Sequence, residues 1–141
     1  MEFDPASDYP LGEKRPDLVT TPSGLPLDEV TLDSLRAGRL AWEDLRATPE
    51  TLRRQSAVAV AAGRATLADN LARAAELATI PDETILEIYS ALRPHRSTAD
   101  ELAAWADRLD GLGAPLSAAF VREAAEVYAK RGLLAGERAQ V

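Results

Sequence analysis

Proline is distributed unevenly along the chain, and this distribution limits where helices can form. Five prolines fall within the first 26 residues, at Pro5, Pro10, Pro16, Pro22 and Pro26. Each of them removes a backbone donor and clashes with the preceding turn, so this segment cannot form one regular helix. No proline lies between Pro49 and Pro81. The sequence therefore predicts an extended N-terminal arm over residues 1–30 and a helical domain over residues 31–141.

The predicted domain is mainly α, with about four main helices. Thr48-Pro49-Glu50 is a strong start signal, because it combines a capping hydroxyl, proline at the first helical position and an early acid. Apolar residues at spacings of three and four then predict one helix to about residue 78, roughly 45 Å long if unbroken. Gly63 is either its weak point or the mark of a close helix contact. The remaining helices are predicted to begin at Pro81, at a capping segment over Ser97–Asp100 and at Pro115, and the last of them to end at Gly132.

The arm carries apolar residues although its prolines prevent it from forming a helix. A disordered tail would have few such residues, and an exposed apolar stripe is uncommon unless it is a contact surface. Pro22 and Gly24 also predict a tight turn that two short β-like runs could flank. We therefore expect a structured arm with a short β-turn or hairpin that binds a partner. Its predicted interface residues are Tyr9, Leu11, Leu18, Leu25 and Leu27.

Composition excludes several classes of protein and favours one small soluble domain. The chain has 141 residues and a net charge of -7, and such an acidic surface repels the phosphate backbone of nucleic acids. No stretch approaches the ~20 apolar residues that span a membrane, and the acidic start of the sequence is unlike a secretory signal. The chain has no cysteine, which suits the reducing cytoplasm where we expect the protein. Its alanine-rich helices bury little area per residue, so we expect a partner to supply part of the stability.

The residues that usually carry catalysis form no recognisable motif. The single histidine, His95, stands in a polar turn, and we interpret it as a solvated loop residue rather than a general acid or base. Asp82 and Glu83 are better explained by a helix dipole than as a catalytic pair. The glycines match no phosphate-binding loop. We therefore predict no catalytic, cofactor-binding or metal-binding residue in this chain.

Arginine and aromatic residues recur at helical spacing. Arginines on the predicted long helix are interpreted as a solvated or partner-facing side rather than a phosphate site; they are Arg53, Arg54, Arg64 and Arg73. The aromatic residues are predicted to pack in the core, with a minority serving as interface anchors. These aromatic residues are Trp42, Tyr89, Trp105, Phe120 and Tyr128.

Four segments, read in order, resemble the small subunit of adenosylcobalamin-dependent propanediol and glycerol dehydratases. They are S-D-Y-P-L at Ser7–Leu11, T-P-S-G-L-P-L-D-E-V-T-L at Thr21–Leu32, N-L-A-R-A-A-E-L-A-T-I-P-D-E-T-I-L-E-I-Y-S-A-L-R-P-H-R-S-T at Asn70–Thr98, and A-A-F-V-R-E-A-A-E-V-Y-A-K-R-G at Ala118–Gly132. The third is the most specific of them. Together they cover most of the chain without large gaps.

The resemblance implies a heterohexameric radical lyase built as a dimer of heterotrimers. Its large subunit is a TIM barrel that holds substrate, metal ion and catalytic residues, and cobalamin lies between the large and medium subunits. The small subunit packs against the large one and has no known catalytic residue. The reaction it implies is dehydration of a diol to an aldehyde, begun by an adenosyl radical from the cofactor. Some members carry a longer N-terminal extension associated with microcompartments, whereas six residues precede Ser7 here, so encapsulation through this chain is not expected.

One alternative from another class stays open. A stand-alone helical interaction or adaptor module with no enzymatic role would also carry an anchored arm and no active site. Gel filtration begins to separate the two, because a regulator behaves as a defined monomer or dimer. An obligate subunit is heterogeneous until its partners are added.

Overall fold

A computed structural model describes residues 2–136 and confirms the mainly α fold. The chain is 63% helical, with seven α-helices and no β-strand among the residues described. The helices are α1 (Leu11–Lys14), α2 (Leu32–Arg36), α3 (Pro49–Ala61), α4 (Ala65–Leu77), α5 (Asp82–Ala91), α6 (Ala99–Gly111) and α7 (Pro115–Arg131). The chain folds as two compact units, Met1–Ala78 and Thr79–Val141. The predicted division into an arm of residues 1–30 and a domain of residues 31–141 stays a prediction.

The first 30 residues form short helical turns joined by extended residues. Besides α1, they include 3-10 helices at Pro16–Leu18 and Leu27–Glu29. Pro16 is the first residue of its helix, a position that needs no N–H partner. The residues around Pro22 form a turn in which the Thr21 N–H donates to the Leu25 carbonyl at 2.9 Å. Among residues 2–30, β pairing is limited to one isolated antiparallel bridge between Thr20 and Pro26.

This arm packs against its own compact unit. Leu11 is only 6% exposed. Arg54 on α3 donates a hydrogen bond from Nη1 to the Leu18 carbonyl at 2.6 Å. Arg15 contacts carboxylates on both sides, Asp8 at 3.0 Å and Asp17 at 2.9 Å. The Arg54 hydrogen bond satisfies a backbone carbonyl of the arm, and the Arg15 ion pairs join side chains within the arm.

The predicted single helix over residues 49–78 is wrong, because the chain reverses direction between α3 and α4. Gly63 has a φ of +70°, and the Arg64 N–H donates to the Ala59 carbonyl at 2.8 Å. These features define a Schellman ending, in which glycine takes the left-handed conformation that other residues avoid. A Cβ built at Gly63 would meet nothing within 4 Å, so the alternative of a close helix contact is also wrong. The two helices pack as a hairpin, and the Ser56 Oγ donates to the Ala68 carbonyl at 2.8 Å.

Helix ends in the second unit follow local capping signals. Thr98 caps α6, and the Thr98 N–H and Glu101 carboxylate, 2.8 Å apart, complete a reciprocal capping box. The sequence predicted this box one residue early, with Asp100 as its acid. The predicted end of α7 at Gly132 is confirmed, because Gly132 has a φ of +66°. The segment after α7 returns to the α5–α6 turn, where the His95 N–H donates to the Leu133 carbonyl at 2.7 Å.

Both units bury mainly small or aliphatic side chains. In the second unit, Leu102, Leu109 and Val121 are the largest fully buried residues, and α6 packs closely on α7. Alanine fills much of the rest of both cores; the buried alanines are Ala59, Ala68, Ala75, Ala106, Ala114 and Ala118. Small cores bury limited apolar area, and many larger apolar side chains are left at the surface.

Candidate functional site

The only histidine lies at the surface. His95 is exposed in the turn between α5 and α6, and its φ of +62° is a conformation that histidine adopts more readily than β-branched residues do. Its backbone N–H, rather than its ring, makes the contact to Leu133. The placement agrees with a loop residue that serves the turn.

The acidic side chains are distributed over helix ends and surface ion pairs. Asp82 and Glu83 lie in the first turn of α5, where the helix dipole favours negative charge. Arg122 on α7 binds two carboxylates of α6, Asp107 at 2.9 Å and Asp110 at 2.7 Å. Among residues 2–136, no three histidine or acidic side chains lie close enough to hold a metal ion. None of the helices in that range is long and apolar enough to cross a membrane.

One buried carboxylate is structural. Asp44 lies in a 3-10 helix at Trp42–Leu45 and accepts a hydrogen bond from the Ala41 N–H at 2.9 Å. Hydrogen bonds from the Ser23 side chain and the Ala41 N–H, with smaller contributions from the Thr21 hydroxyl, hold the pKa of Asp44 below its ordinary value. Asp44 therefore fastens the turn of the arm to the segment that precedes α3.

The aromatic residues divide between surface and half-buried positions, so the core prediction is wrong for several of them. Trp42 is 60% exposed and Tyr89 is 62% exposed. The Arg46 guanidinium lies 4.3 Å from the centroid of the Trp42 ring, a cation–π contact at the surface. Trp42 is the first residue of the short 3-10 helix Trp42–Leu45. Trp105 and Tyr128 are half-buried, and the Tyr128 hydroxyl donates to the Leu92 carbonyl.

The five predicted interface residues occupy different environments. Tyr9 and Leu27 are exposed, Leu18 and Leu25 are half-buried, and Leu11 is buried within its own unit. Their role as a partner interface stays a prediction. The exposed members leave two side chains free to contact another protein directly.

Tyr9 stands beside a groove between α3 and α4, which we call the hairpin groove. It has a volume of about 380 Å³. Its walls are lined by Tyr9 from the arm, by Gln55, Val58, Ala59 and Ala62 from the end of α3, and by Arg64, Leu67 and Leu71 from the start of α4. Sequence reasoning missed this groove because it treated α3 and α4 as one helix. The signal that could have revealed it is a glycine followed by a second amphipathic repeat.

Several large apolar side chains of the described residues are exposed to solvent. The exposed group includes Tyr9, Leu32, Trp42, Leu45, Val60, Leu86 and Tyr89. The family model described as dehydratase small subunit matches residues 5–135. The chain therefore belongs to the dehydratase small subunit family, as the resemblance implied.

Two curated relatives extend this likeness over nearly the whole chain. The propanediol dehydratase small subunit of Citrobacter freundii is 51% identical over 132 residues, which cover 93% of this chain and 77% of that protein. The propanediol dehydratase small subunit of Salmonella typhimurium strain LT2 is also 51% identical over 132 residues, covering 93% of this chain and 76% of that protein.

Proposed function

We propose that this chain is the non-catalytic small subunit of an adenosylcobalamin-dependent diol or glycerol dehydratase. In this role it binds the large subunit of a dimer of heterotrimers and stabilises it, while the reaction takes place on the other subunits. The observation that carries the proposal is the 51% identity to two propanediol dehydratase small subunits over 93% of the chain. The lack of cysteine suits action in a reducing cytoplasm.

Two physical features support the role of a subunit. Alanine makes up much of the buried core, whereas large apolar side chains such as Trp42, Val60 and Leu86 are more than half exposed. Where such side chains form one contiguous patch, the patch is typical of a surface that a partner covers. The same feature argues against a stand-alone adaptor, which would have to remain soluble with these side chains in water.

The residues that line the hairpin groove are a poor match to a cobalamin site. A drug-sized ligand occupies a pocket of roughly 300–1,000 Å³, and a corrinoid is larger than most drugs, whereas the hairpin groove measures about 380 Å³. The one histidine, His95, is exposed and is not among the residues that line the groove. These observations support assigning the cofactor to the large and medium subunits, and we derive no step of the reaction on this chain.

The proposal is tested by producing the large and medium subunits with and without this chain. The complex should form aldehyde from 1,2-propanediol or glycerol when all three subunits and adenosylcobalamin are present. Omission of this chain should lower the yield of assembled enzyme and its activity. The chain alone should neither form aldehyde nor shift the absorption spectrum of cobalamin.

Two results would contradict the proposal. Full activity and full stability of the large and medium subunits without this chain would remove its role in the enzyme. A shifted corrinoid spectrum with the isolated chain would show that it contributes cofactor ligands.

A further inference from the structure

The hairpin groove has two regular apolar walls. Its α3 residues follow a spacing of three, one and three, from Gln55 to Ala62, and its α4 residues follow a spacing of three and four, from Arg64 to Leu71. These spacings place each set on one face of its helix. The two faces therefore meet across a channel that is lined mostly by aliphatic side chains.

The third wall, Tyr9, is held in place although its side chain is 59% exposed. The Ser7 carbonyl accepts a hydrogen bond from the Lys14 Nζ at 2.8 Å. The carboxylate of the next residue, Asp8, pairs with Arg15 at 3.0 Å. The Asp8 N–H donates to the Asp4 carbonyl at 2.9 Å. Because the backbone before Tyr9 is fixed, the ring is presented to a partner without a large loss of conformational entropy.

The charge at the groove is opposite to that of the whole chain. The chain has a net charge of -7, but the one charged residue in the groove lining is Arg64. Among residues 2–136, the exposed Arg64 side chain forms no hydrogen bond or ion pair. Arg64 is also the first flanking residue of α4, whose N-terminus has no side-chain cap. Both features favour a negative group on the molecule that binds there.

We propose that the large subunit docks in the hairpin groove with one bulky apolar side chain flanked by a carboxylate. The apolar side chain packs between Tyr9 and the aliphatic walls, and the carboxylate pairs with Arg64. Tyrosine and arginine are the residue types enriched at the energetic centre of protein interfaces. This inference rests on the proposed function, because it names the surface through which the small subunit joins its partner.

The test measures the affinity of purified full-length small subunit for the co-expressed large and medium subunits. Tyr9→Ala should weaken binding about thirtyfold, the loss expected of a central aromatic anchor. Arg64→Glu should weaken it about tenfold, with Arg64→Lys between that variant and the wild type. Tyr9→Phe should stay within about twofold, because the ring fills the groove. Arg53→Glu is the matched charge control, since Arg53 is exposed on α3 outside the groove lining.

A photo-crosslinking measurement covers the case in which a variant folds poorly. A benzophenone amino acid in place of Tyr9 should capture the large subunit after irradiation of the assembled complex. Capture of only the medium subunit or of a second small subunit would overturn the inference, as would unchanged affinity of Tyr9→Ala and Arg64→Glu. In each of those cases the wild-type chain still assembles, so the proposed function stands. Failure of the wild-type chain to bind either subunit would instead overturn the proposed function.

Discussion

Replacing Gly63 by alanine tests the conformation of the α3–α4 region. The substitution should raise stability if the region is one continuous helix and lower it if Gly63 forms a left-handed turn. In a continuous helix, Gly→Ala raises stability by about 1 kcal/mol, because alanine is the better helix former. At the observed φ of +70°, alanine instead costs about 1–2 kcal/mol, since its Cβ approaches the following carbonyl. A Cβ at Gly63 meets no neighbour within 4 Å, so this backbone strain is the main term.

The expected result is destabilisation of the first unit alone. A unit this small has a urea m-value of about 1 kcal/mol/M, so the loss in free energy of unfolding should lower the urea midpoint by about 1–2 M. The chain has two tryptophans, Trp42 in the first unit and Trp105 in the second. Fluorescence of the full chain with Trp105→Phe therefore reports on the unit that contains Gly63. The same change in a Trp42→Phe background should leave the second unit's midpoint unchanged.

Gly111 provides a matched control in the second unit. It lies within α6, has no positive φ, and has open space around an added Cβ. Gly111→Ala should therefore stabilise the second unit by about 0.5–1 kcal/mol. A higher urea midpoint for Gly63→Ala, similar to that of Gly111→Ala, would refute the left-handed turn and restore the single long helix.

Three further predictions test other parts of the molecule. His95→Ala should leave the turnover number of the assembled enzyme within about threefold, because a tenfold loss requires ~1.4 kcal/mol at the barrier; a hundredfold loss with assembly intact would contradict the loop assignment. Tyr128→Phe should lower the stability of the second unit by about 1 kcal/mol in a urea titration, because its hydrogen bond is lost. The control Tyr89→Phe, whose ring is exposed, should change that stability little. The pKa of Asp44 is lowered in the folded chain, so its stabilisation is complete above the ordinary value of 3.8 and is lost as the pH falls through the lower folded value. Asp44→Asn should remove the part of the pH dependence of stability that Asp44 contributes. If acid unfolding followed by Trp42 fluorescence is the same in this variant and the wild type, the stabilising role of the Asp44 carboxylate is excluded.

Sequence reasoning succeeded where the determining interactions are local. Thr48 caps α3 by accepting from the Thr51 N–H at 3.2 Å, as its hydroxyl before Pro49 predicts. Gly132 ends α7 as predicted because the left-handed conformation is a property of the residue itself. The capping box of α6 was predicted one residue early, since Ser97 and Thr98 are both capable caps. The Ser97 hydroxyl instead donates to the Ala91 carbonyl at 2.9 Å, a contact across the turn that no local pattern encodes.

Sequence reasoning failed where burial depends on neighbours that are distant in the chain. Tyr89 recurs at helical spacing, which predicts a buried position, yet it is 62% exposed, and Leu86 on the same helix is 64% exposed. The α5 residues that do face the core are Thr84 and Ile88. Periodicity identifies faces but cannot tell which face another helix covers within the chain and which one is left for a different protein.

The hairpin groove shows why the candidate site could not be derived from the predicted elements. On one continuous helix, the lining residues of α3 and those of α4 would lie on roughly opposite sides, since each residue adds about 100° of rotation. Gln55 and Leu71 would then point away from each other and enclose nothing. The left-handed turn at Gly63 folds the second stripe back beside the first, and the arm adds Tyr9 as the remaining wall. A single backbone conformation that costs glycine little therefore converts two unrelated stripes into one concave surface, and the surface exists only if that conformation does.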